Sequence, residues 1–153
     1  MPSHAQRAVA LFEQGYGCAQ ATAAAFDADL GLELGLLLRV TAGLGGGRGG
    51  LRETCGAVTA MAIVAGLSAA PYAPGDLPAK SALYARIRAM DEEFSRRHGT
   101  TVCAELLARA GVPVGAEPSA RGPEYYAARP CSGLVATAAE ILARVCLGGG
   151  PSR

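Results

Sequence analysis

Apolar positions recur at helical spacing along most of this chain, and they nowhere alternate over a strand-length stretch. Near the start, Ala5, Ala8, Val9 and Phe12 share one helical face, Ser3 and Gln6 fit a capping box, and Gly15 stops the helix. After the turn Gly15-Tyr16-Gly17, an alanine-rich second helix is expected from Cys18 to Gly31, and a leucine-rich third from Leu32 to Ala42, ended by Gly43. Thr54 is the expected N-cap of a fourth helix that reaches Leu67; apolar nearly all round, this helix belongs at the centre. The fifth, Ala79 to His98, is the best patterned, with Leu83, Ile87, Met90 and Phe94 on one face and Arg86, Asp91, Glu92, Arg96 and Arg97 elsewhere. Thr100 or Thr101 caps a short sixth helix over 102–110, stopped by Gly111, and a last helix runs from Pro130-Cys131 to Leu147.

Breakers fill the gaps. Pro71, Pro74 and Pro78 exclude regular structure over 68–78. The segment 112–130, rich in Gly and Pro, is expected to be a long irregular loop, a lid or a mobile stretch, and 147–153 a flexible tail. The pattern therefore predicts an all-α, single-domain bundle of about six or seven helices with a Gly-rich loop before the central one. Length agrees: 153 residues suit one domain able to bury a substantial core. With aromatics at 5% and no Trp, that core must be built from Ala, Leu and Val, which suits close-packed helices. A bundle this rich in Gly and Ala is open to homodimer formation. Net charge is +1, too small a field to argue for nucleic acid or a membrane surface. The opening MPSHAQRAV lacks an apolar signal region, and the apolar heart of the longest uncharged run is too short to span a bilayer, so a cytoplasmic location is expected.

Chemistry enters with glycine and cysteine. Gly43 to Gly50 is nearly all glycine and cannot be an ordinary helix or strand. Cys55 follows it at the mouth of the central helix. On these boundaries Cys18, Cys55, Cys103 and Cys131 each occupy the first turn of a helix, and Cys146 alone a last turn. Free N–H groups and the helix dipole at a first turn stabilise a thiolate. No CxxC pair is present, so a joint site has to be assembled by the fold. One reading is a thiol–disulfide redox centre with Cys55 as nucleophile, the backbone of Gly46, Gly47, Arg48 and Gly49 as an anion-binding nest, and Arg48 and Arg52 as added positive charge; its partner is a redox protein, or a small thiol or oxidant. A second makes the same four thiols, Cys18, Cys55, Cys103 and Cys131, ligands of an iron–sulfur cluster or zinc. A third leaves them as inert, buried small hydrophobes. His98 is either a base for Cys103 or a complement to a helix C-terminus; Glu53 either relays a proton or favours a helix start; Tyr125 and Tyr126 either cover a site or pack. The formal G-x-G-x-x-G at Gly45, Gly47 and Gly50 follows LLLRV, which could pass for a strand, but nothing else alternates to build the βαβ unit a dinucleotide site needs.

GYGCAQA at 15–21, GLGGGRGGLRETCGAVTA at 43–60, Cys103 ahead of AELL, and Cys131 ahead of the terminal helix together resemble the C-GCAxxG-C-C family, whose name assigns its members a redox role. The resemblance spans about residues 5 to 145. It maps the family's four cysteines onto Cys18, Cys55, Cys103 and Cys131 and leaves Cys146 as an addition. Ala60 stands where the CGAxxG motif ends in glycine, and its methyl asks for slightly more room at a helix contact. A related module joined to haem-attachment sites implies an iron–sulfur centre; this chain has no CxxCH, so covalent haem is excluded. The resemblance implies a redox class and names no reaction.

Overall fold

Two helices of small side chains lie back to back at the middle of the molecule, and the remaining helices wrap them. The computed structural model describes residues 1–148. In chain order the helices are α1 (His4–Glu13), α2 (Cys18–Ala24), α3 (Asp27–Leu30), α4 (Leu34–Thr41, running into a 3-10 turn at Ala42–Leu44), α5 (Gly56–Ser68), α6 (Leu77–His98), α7 (Cys103–Arg109), α8 (Pro123–Ala128) and α9 (Cys131–Cys146). Among the described residues there is no strand, only an isolated antiparallel bridge between Thr54 and Val102. The chain is all-α.

The central pair is α2 against α5, with α1, α4, α6 and α9 packed round them. Alanine makes this possible: Ala19, Ala21, Ala23, Ala57, Ala60 and Ala65 are all fully buried, so the backbones approach closely. Ala60, where the motif ends in glycine, puts its methyl wholly inside this contact. Phe12, Phe26, Phe94, Met61 and Met90 fill the larger gaps. On α6, Met90 and Phe94 are buried while Leu83 and Ile87 lie half-covered against the core.

Several boundaries differ from expectation, each for a local reason. The second expected helix breaks after Ala24, because Phe26 is drawn fully inside to stack on His4 at 4.5 Å while Arg7 ties down the Ala25 carbonyl and the Asp27 carboxylate. Cys55, not Thr54, caps α5, since Thr54 is used in the bridge to Val102. Neither Thr100 nor Thr101 caps α7; Val102 takes that position, and Thr100 Oγ1 accepts from the Val102 N–H at 3.1 Å while donating to Glu105. The fifth expected helix begins earlier, at Leu77, with Asp76 Oδ1 accepting the Ala79 N–H at 3.0 Å. The segment 112–130 holds a short helix, α8, started by Pro123. The last helix ends at Cys146. Of the expected tail, residues 149–153 lie outside the described residues. Among the described residues no helix is long and apolar enough to cross a membrane.

Candidate functional site: a cavity at the helix starts

The glycine loop is a coil with room for no side chain at Gly47 or Gly50. Gly46, Gly47, Gly49 and Gly50 all have positive φ. A Cβ at Gly47 would stand 2.5 Å from the Glu53 backbone nitrogen, and one at Gly50 would collide with the Ala116 carbonyl. Arg52 N–H donates to Gly46 O at 2.9 Å and Glu53 N–H to Gly47 O at 3.1 Å, folding the loop on itself. Beyond it, Cys55 N–H donates to Thr101 O at 2.8 Å and Cys103 N–H to Glu53 O at 2.6 Å. These bonds fix the start of α5 beside the start of α7.

The starts of α2 and α9 meet them at the same end. Cys18, Cys55, Cys103 and Cys131 all line one cavity of about 500 Å³, together with Gly46, Gly49, Gly56 and Arg52. Cys146 does not; it sits at the far end of α9, within hydrogen-bond reach of Arg86 and Ser68. Gly47 is buried beneath the loop and Arg48 turns outward to pair with Glu53 at 3.1 Å, so of the expected nest residues only Gly46 and Gly49 reach the cavity wall.

At Cys18, Cys55 and Cys131 the charge departs from the expectation of low thiol pKa values. Burial pushes Cys55 well above its ordinary value, and a neighbouring Cys18 thiolate pushes it further, against the Ala57 and Val58 N–H groups. Cys131 is raised to about 11, by burial first and then by Cys18. Cys18 is raised by burial, yet three backbone N–H groups, of Gly46, Ala19 and Gly56, oppose that at its sulfur. The nest therefore serves Cys18, not Cys55. Cys18 is also electrostatically linked to each of the other three thiols. Among the described residues, only Cys103 of the four has a side-chain cation at hydrogen-bond distance, the Arg52 guanidinium at 3.8 Å. Arg52 reaches it from a backbone with φ +59, unusual for a residue with a side chain.

Two of the candidate helpers are elsewhere. His98 bonds Thr137 Oγ1 at 2.9 Å, packs on Phe94 and does not border the cavity, so it is no base for Cys103. Glu53 is exposed and paired with Arg48, and only its carbonyl touches the site. Tyr125 does line the cavity; Tyr126 packs on Phe12 and donates to the Glu13 carbonyl at 3.1 Å. Residues that sequence reasoning passed over complete the wall: Phe12, Glu117, Arg121 and Arg129. Arg121 stacks on both Phe12 and Tyr125 at 4.5 Å and donates to the Phe12 and Tyr16 carbonyls. The signal for Arg129 was available in its place two residues before Cys131; nothing local pointed to Arg121, whose partners lie a hundred positions away.

A thiolate-bound zinc or cluster requires several sulfurs within one coordination sphere, with Zn–S near about 2.3 Å. Among the described residues no group of three or more His, Cys, Asp or Glu side chains is close enough to hold a metal ion. The thiols share a cavity without forming such a group.

Residues 16–145 match the family described as "Putative redox-active protein (C_GCAxxG_C_C)". The chain belongs to that family. The match opens just ahead of Cys18, takes in the three other cavity cysteines and closes at Val145, leaving Cys146 outside. Curated proteins and solved structures offer no match. The family thus supplies the redox class.

Proposed function

We propose that the cavity is a thiol–disulfide exchange centre in which Cys103 attacks and Cys18 resolves. The supporting observation is the convergence of four thiols from four separate helix starts on one cavity, with Arg52 against the Cys103 sulfur and three backbone N–H groups on Cys18. Cys55, 5% exposed and raised well above its ordinary pKa, is unsuited to first attack.

In the forward direction the Cys103 thiolate attacks one sulfur of a disulfide, forming a mixed disulfide and expelling one thiolate, which takes a proton from water. Cys18 then gives up its proton, the Gly46, Ala19 and Gly56 N–H groups holding the negative charge, and attacks the Cys103 sulfur. The second thiolate leaves, the substrate has gained two electrons, and the protein holds a Cys18–Cys103 disulfide. Cys131 and Cys55 stand behind as further thiols linked to Cys18.

The test is a thiol titration joined to elemental analysis on protein purified without oxygen. The folded protein as purified should carry no stoichiometric metal, and once reduced and unfolded it should titrate all five thiols; one equivalent of disulfide added to the reduced folded protein should remove two of its thiols without forming a dimer, and mass spectrometry should find Cys18 bonded to Cys103. Thiols that survive oxidant unchanged would sink the reading. So would iron or zinc bound stoichiometrically by the four cysteines.

A further inference from the structure

We infer that the disulfide admitted to this cavity is a small one bearing carboxylates, held by Arg52 and Arg129, which line the cavity together with the four thiols. The inference rests on the exchange reading above. It starts from uncompensated charge. Arg7, Arg48, Arg97 and Arg144 each pair with a carboxylate. Among the described residues Arg52, Arg121 and Arg129 pair with none. An unpaired arginine in open water is ordinary, and Arg39, Arg88 and Arg96 are examples on the surface. The three at the cavity are partly buried, and each is fixed by a neutral acceptor that leaves its charge intact. Arg52 Nε donates to Gly115 O at 3.0 Å, Arg129 to Ser119 Oγ at 3.0 Å, and Arg121 to two carbonyls.

Against these three cations the lining holds one acid, the exposed Glu117. Of the thiols only Cys103 meets one of these cations, Arg52, and burial favours the protonated forms of Cys55 and Cys131, so Arg121 and Arg129 have no thiolate against them among the described residues. Positive charge held in place without a counterion, inside low-dielectric walls, is a standing preference for an anion. Guanidinium forks suit carboxylates in particular. Arg121 is committed to its carbonyls and to the Phe12 and Tyr125 rings, which leaves Arg52 and Arg129 to meet the ligand. The volume, about 500 Å³, suits a small molecule. Recessed thiols beneath Ala116 to Ser119 are poorly placed for a disulfide on the surface of a folded protein. Phe12, Leu106 and Leu134 give the uncharged middle of such a ligand an apolar wall.

The experiment compares three disulfides on the fully reduced chain in single turnover: oxidised glutathione (net negative), hydroxyethyl disulfide (neutral) and cystamine (net positive). Electrostatic focusing should make the anionic probe faster than the cationic one by roughly tenfold or more at low salt. That ratio should shrink in 0.5 M salt, fall toward one in Arg129→Gln and recover in Arg129→Lys. Equal rates for the three probes, or cystamine fastest, would overturn the inference and leave exchange standing. If no probe reacts, exchange itself fails and the inference goes with it. The salt series on the unsubstituted chain decides the matter even where a variant does not fold.

Discussion

A cysteine at a helix start is usually credited with a low pKa, and Cys55 shows how burial reverses that. Its sulfur receives N–H groups from α5, as the helix-start argument requires, but it is 5% exposed and desolvation outweighs the dipole. Cys103 has the Arg52 cation and access to the cavity instead. Iodoacetamide at pH 7.5, followed by peptide mass mapping, should therefore modify Cys103 at least tenfold faster than Cys55. Cys131 carries a second consequence. With a pKa near 11 in the fold against an ordinary value near 9, it keeps its proton where the unfolded chain has lost it. The unfolded state then binds fewer protons, so the reduced protein loses stability as pH rises from 9 to 11 and gains nothing below that window. Urea midpoints taken across this range should fall, with a shallower slope for Cys131→Ala. Gly56 has no room for a side chain: a Cβ there would sit 2.5 Å from Cys18 Sγ and 2.9 Å from the Leu44 carbonyl. Gly56→Ala should cost about 1–3 kcal/mol in denaturant unfolding and lower the reactivity of Cys18. Such a contact is invisible in the chain order, because Cys18 and Leu44 come from two other segments.

At the scale of elements, the loop 43–55 does more than break the chain. Its backbone folds onto the start of α7 through Cys103, Ala104 and Cys55, and so sets the positions of two sulfurs at once. The glycines were readable as a break; the reason for their number, close passage under Glu53 and Ala116, was not. Caps were read with mixed success for one physical reason. Ser3 and Gln6 form the expected box because nothing else competes for them. Thr54 and Thr100 had other partners: Thr54 lies in the bridge to Val102, and the Thr100 hydroxyl serves the nearby Val102 N–H and Glu105 carboxylate. Asp76 is a cap with no such competition, at the exposed beginning of α6. Asp76→Ala should cost about 1 kcal/mol, and hydrogen exchange should show the loss confined to the first turns of α6.

For the molecule as a whole, the loop 112–122 and α8 close the cavity, and Arg121 is their clasp, joining them to Phe12 and Tyr16 at the end of α1. Arg121→Ala should raise amide exchange across 112–122 and speed labelling of Cys18 and Cys131 by a bulky maleimide, while the helical circular dichroism signal stays intact. The order of helices, the all-α class, the alanine-built centre and the four cysteines were legible in the sequence, because periodicity, propensity and helix stops are local properties carried by neighbouring residues. Which sulfur the glycine nest faces, which arginine stands beside which thiol, and the charge each thiol bears were decided only by the fold. Those quantities depend on distance and desolvation between segments far apart in the chain, and neither is written in the spacing of residues along it.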